Sequence, residues 1–93
     1  MVNLTENFLV GSWFHEEWKC ELTPYQFLVI EWPIKVRAFG SWFLRDHDVV
    51  LTYVQEGLRD PDIYIFSIEE IIDDNTIKTR DISSNKVEIL RRC

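Results

Sequence analysis

The 93-residue chain has two cysteines, three glycines, three prolines and two histidines, and its basic residues are outnumbered, 10 against 16 acidic. Each shortage excludes something. Two thiols, Cys20 and Cys93, cannot staple a disulfide-dense scaffold, and they form no Cys-x-x-Cys pair for structural zinc. They read as reduced thiols that meet only if the C-terminus folds back onto the first strand. A formal net charge of −6 and a pI near 4.8 leave no basic surface. That argues against nucleic acid, whose affinity comes largely from Lys and Arg neutralising phosphates, and against polybasic contact with a membrane. No basic leader precedes a long apolar stretch, so no signal peptide is visible. The apolar run Phe27–Ile30 stops at Glu31, far short of the roughly 20 residues that span a bilayer. With Met1 at the start, the expectation is a cytoplasmic protein. No Gly-rich phosphate loop or Gly-x-Ser-x-Gly elbow occurs.

What is present is a globular chain of one domain, residues 1–93, 46% apolar and too hydrophobic for simple disorder. At this length folding hides only about 60–65% of the chain's surface, so the core is small. Apolar residues recur with period two. Val36, Ala38, Gly40, Trp42 and Leu44 alternate with Lys35, Arg37, Phe39, Ser41 and Phe43, and similar alternation runs through 49–54, 63–68 and 87–90. Val, Ile, Thr and the aromatics suit a pleated surface. The fold class expected is all-β, a small antiparallel up-and-down meander or barrel of about seven strands. These lie near 10–21, 26–32, 35–45, 48–54, 63–71, 76–81 and 86–91, joined by short turns. A short helix is expected at 4–8 with Thr5 as N-cap; Phe8 leaves the capping box incomplete. Residues 67–73 also fit a helix capped by Ser67, but the turn Asp73-Asp74-Asn75 that follows favours a strand and hairpin.

The tetrapeptide Gly11-Ser12-Trp13-Phe14 recurs as Gly40-Ser41-Trp42-Phe43. Glycine in a strand permits a sharp bend or a close backbone approach, and the indole beside it can close one end of a barrel. Closure also hides the edges of a small sheet. Leu9-Val10-Gly11-Ser12-Trp13 resembles the Gly-x-Trp opening of lipocalins and of small bacterial lipocalin-like domains. The order of Gly40-Ser41-Trp42, Val49–Tyr53, Tyr64–Phe66, Asp73–Ile77 and Val87–Arg91 extends the likeness over residues 8–92. The resemblance implies an up-and-down barrel and a cavity for a small apolar ligand. It also implies a structural Trp13 at the closed end, with Arg91 or Arg92 packed on it by a cation–π contact. This chain is much shorter than a full lipocalin, and with four Trp, three Tyr and six Phe the interior is expected to be filled.

Candidate chemistry is thin. His15-Glu16-Glu17 lacks the second histidine of a zinc-protease helix, and in a strand His15 and Glu17 share one face as a polar edge. Asp46-His47-Asp48 reads as a solvated turn. No catalytic residue, metal or cofactor is expected. Pairs such as Trp13-Phe14 and Trp42-Phe43 send one ring outward on any regular strand, so Phe39 and Phe43 are candidates for a partner-binding face or a homodimer contact, unless Asn3–Phe8 or the 55–62 loop covers them. Glu69, Glu70, Asp73 and Asp74 form an acidic group whose alternation puts Glu69 and Glu70 on opposite faces. The leading expectation is a non-catalytic binding domain for a protein partner or a small apolar ligand, with Trp13, Trp42 and Arg91 at the barrel end. The alternative is an acidic inhibitor or immunity-type protein whose carboxylates meet a basic toxin or nuclease.

Overall fold

In the computed structural model, residues 4–16, 18–33 and 36–92 are described. A single turn of helix, α1 (Glu6–Leu9), is followed by eight strands: β1 (Gly11–His15), β2 (Trp18–Leu22), β3 (Phe27–Glu31), β4 (Arg37–Arg45), β5 (Asp48–Gln55), β6 (Asp62–Asp73), β7 (Thr76–Asp81) and β8 (Val87–Arg92). Each strand pairs antiparallel with the next, and β8 returns to β1 through Trp13↔Arg92 and Phe14↔Arg91, closing a barrel. The all-β antiparallel expectation therefore stands, with one more strand than the period-two pattern gives. The stretch 10–21 breaks after His15 into β1 and β2, which form a tight hairpin with His15 opposite Trp18. No glycine or proline marks that turn.

Thr5 caps α1 as its sequence position predicts, its hydroxyl accepting the Phe8 N–H at 3.1 Å. Where the capping box is incomplete, Glu6 reaches across instead, and its carboxylate accepts the Leu44 N–H at 3.0 Å. Residues 67–73 belong to β6, but the strand slips register between Ile68 and Glu70 and again between Ile71 and Asp73. A bulge of this kind interrupts alternation, which is why the segment mimics a helical pattern. It also corrects the placement of Glu69 and Glu70 on opposite faces: both are exposed.

Alternation elsewhere sorts the strands cleanly. Trp13, Cys20, Leu22, Leu28, Ile30, Ala38, Trp42, Val49, Leu51, Phe66, Ile77 and Leu90 turn inward as one core, completed by Leu9 of α1. Cys20 is buried in it; Cys93, and with it the expected meeting of the two thiols, lies outside the described residues. Both repeated glycines are required, for different reasons. Gly11 has φ +134°, a backbone region unfavourable to other residues, and a Cβ there would press on the Arg92 guanidinium. At Gly40 a Cβ would sit 1.8 Å from the Thr52 carbonyl oxygen, so β4 and β5 approach as only glycine allows. Among the described residues no helix is long and apolar enough to cross a membrane.

Candidate functional site

The two ends of the barrel differ. One carries α1 and the turns at 23–26, 46–47 and 74–75. There Trp13 and Trp42, each 1% exposed, plug the interior. The Trp13 indole donates to Leu9 O at 2.8 Å and the Trp42 indole to Thr23 O at 3.0 Å. Trp42 is held further by Gln26, whose side chain donates to Trp42 O at 2.8 Å. Arg92 seals this end. Its guanidinium lies 4.2 Å from the Trp13 ring centre and 5.2 Å from that of Phe8, and donates to Val10 O and Phe8 O at 2.8 Å each. Of the two arginines offered by the last strand, Arg92 makes the cation–π contact; Arg91 is exposed on the outer face. The cause is alternation, since Leu90 points into the core and Arg92 follows it in phase.

At the opposite end the packed core stops short of the rim. A recess of about 210 Å³ remains, with Ile30 and Leu51 beneath and Trp18, Trp32, Tyr53 and Tyr64 around it. The rings meet across the lumen rather than along one strand. Trp18 of β2 stands edge-on to Tyr64 of β6 with centroids 6.2 Å apart, and Trp32, just after β3, lies 6.2 Å from Tyr53 of β5. Indoles and phenols supported this way line the space instead of occupying it.

Two carboxylates complete the wall, Asp81 from β7 and Glu88 from β8. Both come from strand positions in phase with core residues, Asp81 with Ile77 and Glu88 with Leu90, so the pleat turns them inward. Asp81 is fixed by the turn after it: Ser83 donates through N–H at 2.9 Å and hydroxyl at 2.8 Å, and Ser84 N–H at 3.3 Å, all to Oδ1. Burial pushes the Asp81 pKa up, but these bonds outweigh it and hold the group below the ordinary carboxylate value. The Glu88 side chain is 11% exposed, with His15 Nδ1 at 3.7 Å and Lys86 Nζ at 3.8 Å. Tyr64 answers the same environment: burial first, then the charges of Asp81 and Glu88 and a hydrogen bond with Asp81, raise its pKa far above the usual phenol value. Tyr53 is raised too, by burial and the charge of Asp62. The recess therefore combines four aromatic rings with two carboxylates.

The residues singled out from sequence fall elsewhere. Phe39 and Phe43 are exposed on the outer face of β4. The segment from Leu4 packs Leu4, Phe8 and Leu9 on the barrel end and leaves those rings uncovered. In register, Val29↔Phe39↔Val54 and Phe43↔Val50↔Ile65 form two apolar rows over β3–β6, separated by the polar pair Ser41↔Thr52 and flanked by Phe27 and Ile63. In the acidic group, Glu69 bonds the Arg80 guanidinium, which lowers its pKa, Glu70 stands opposite Lys78, and Asp73 accepts the Asn75 N–H at 2.8 Å within the turn. His15 meets Glu88 from the far end of the chain; Glu17 lies outside the described residues. Asp46-His47-Asp48 is a hairpin turn with Asp46 at φ 58°, and among the described residues no group of three His, Cys, Asp or Glu is placed to hold a metal.

Fold and site together define a small closed β-barrel, stoppered at one end and recessed at the other. Comparison of the chain with protein-family models, curated proteins and solved structures finds no match.

Proposed function

We propose that this protein is a non-catalytic binding domain that takes a small molecule into the recess at the open end of its barrel. The observation that carries this is the asymmetry of the interior. Trp13, Trp42 and Arg92 seal one end, while four half-buried aromatic rings and two inward carboxylates leave about 210 Å³ unfilled at the other. Concave sites of this kind, mostly apolar with a few fixed polar groups, are where small ligands bind. The volume is below that of drug-sized pockets, so the ligand is small. The Gly-x-Trp opening, the arginine over Trp13 and the up-and-down closure support a lipocalin-like kinship on a reduced scale. Native mass spectrometry of protein purified without denaturant is expected to show a small-molecule adduct that survives Phe39→Ser and disappears in Trp32→Ala. Apo protein alone, or an adduct indifferent to Trp32→Ala, contradicts the reading.

A second reading rests on the outer patch. Phe27 and Ile63 are each 65% exposed, and large exposed apolar surface marks interaction sites. A second copy of the chain is the occupant proposed, since a two-fold pairing buries the same neutral patch twice. Sedimentation is expected to show a dimer that Phe39→Asp dissociates; a monomer at high concentration contradicts it. For an acidic inhibitor nothing comparable speaks, because Glu69 and Glu70 already face Arg80 and Lys78.

A further inference from the structure

Resting on the reading of the recess as a ligand site, we infer that its ligand is a small organic cation, an alkylammonium or quaternary ammonium group held between Trp18, Trp32, Tyr53 and Tyr64 and drawn in by Asp81 and Glu88. A purely apolar ligand would not need the last two residues, and it would be penalised by them. Burying a carboxylate without compensation is costly, yet both sit where the pleat turns them inward, at the level of the rings. The partners of Asp81 leave its negative charge unopposed, and those of Glu88 oppose it only in part. Asp81 is bonded by the neutral donors of Ser83 and Ser84, and none of the ion pairs among the described residues reaches it. Those donors also fix its direction, with all three bonds on Oδ1, and the Tyr64 hydroxyl that bonds the same carboxylate is neutral as well. Glu88 has one lysine at its rim, Lys86, 3.8 Å away and itself largely exposed, together with His15.

The rings supply the complementary half. The face of an aromatic ring carries partial negative charge and attracts a cation within about 6 Å of its centre, most strongly when both are shielded from water. Four rings drawn from β2, β5, β6 and the segment after β3 line the recess from different sides, paired edge-on or tilted across it. An alkylammonium has an apolar shell that the rings solvate and a charge that the carboxylates balance. A fatty acid or other anion meets two like charges. A neutral apolar molecule leaves both carboxylates desolvated with nothing gained. The small volume limits the ligand to a compact head, comparable to trimethylammonium.

The test is calorimetric titration of the intact protein with choline and with 3,3-dimethyl-1-butanol, its neutral isostere of the same shape. Choline is expected to bind, and the isostere at least about tenfold more weakly, as loss of a desolvated cation–π contact alone implies. Asp81→Asn keeps an oxygen for the Ser83 and Ser84 donors, and Glu88→Gln keeps the shape. Each is expected to weaken choline several-fold and to leave the isostere's affinity unchanged. If the isostere binds as tightly as choline, the recess is a ligand site but not a cation site, and the inference fails while the functional reading stands. If choline gives no heat at millimolar concentration, the inference also fails, and a neutral or anionic adduct in the native mass spectrum would then keep the functional reading alone. If choline binds equally well to both variants, the carboxylates do not recognise it and the assignment is overturned.

Discussion

Arg92 ties together segments that are distant in sequence. It donates to Phe8 O, Val10 O and Asp74 O, stacks on Trp13, and its own N–H reaches Asn75 O at 2.8 Å. Hydrogen bonds from a charged donor are worth about 1.5–3 kcal/mol each, so Arg92→Met is expected to lower unfolding free energy in urea by about 3 kcal/mol. Arg91→Met should stay within the surface range of about 0.5 kcal/mol. Equal effects would mean that the stacked guanidinium is not a clamp. The pair also shows what a sequence yields at this scale. An arginine over the first-strand tryptophan is legible from the resemblance, but choosing between neighbours requires the phase set by Leu90. Tyr64 offers a second residue-level test. Its raised pKa means that the folded protein keeps a proton the unfolded chain has lost. The associated stability is complete below about pH 10, the unfolded phenol value, and is lost as pH rises toward the folded one. In a titration followed by tyrosinate absorbance, Asp81→Asn should bring the Tyr64 transition to lower pH; an unmoved transition would separate Tyr64 from Asp81.

At the level of elements, glycine and bulge placement decide the shape. Gly40→Ala forces a methyl into the Thr52 carbonyl and is expected to cost at least the 1–3 kcal/mol typical of overpacking, roughly, read as a drop in urea midpoint. A wild-type midpoint would show that β4 and β5 need not approach so closely. The acidic hairpin should behave in the opposite way. Asp74→Lys changes an exposed side chain at a turn and should leave thermal stability nearly unchanged, whereas Asp73→Lys also removes the acceptor of the Asn75 N–H and should cost about 1 kcal/mol; a large loss in Asp74→Lys would place that carboxylate in the fold's energetics. Alternation along 35–54 is readable because each strand has one wet and one dry face. It fails at two kinds of place. Between His15 and Trp18 the sequence carries no glycine, proline or Asx residue to mark a break, so β1 and β2 read as one. The slips in β6 put Ile68, Ile71 and Ile72 at spacings that copy a helix, and only pairing with β7 resolves them.

At the scale of the whole molecule, the barrel is a division of labour between its ends. The repeated Gly-Ser-Trp-Phe segments both serve the stoppered end, which is why that end was visible in the sequence. Trp13→Ala, removing a fully buried indole, is expected to cost about 3–5 kcal/mol. The recessed end was not visible. Its six wall residues come from six stretches between Trp18 and Glu88, and no motif links them until the strands close into a ring. One signal was present: Asp81 and Glu88 fall in phase with buried Ile77 and Leu90, an inward polar position that a filled core would not tolerate.

The four tryptophans sample both ends, two each, and report directly on where a ligand goes. Two-dimensional NMR of the indole N–H groups, with choline and then 3,3-dimethyl-1-butanol added to the intact protein, separates the possibilities in one spectrum. Binding of either molecule in the recess should move the Trp18 and Trp32 resonances and leave those of Trp13 and Trp42, bonded to Leu9 O and Thr23 O, in place. Shifts confined to Trp13 and Trp42, or to backbone amides of the outer patch around Phe39 and Ile63, would contradict a ligand site at the open end.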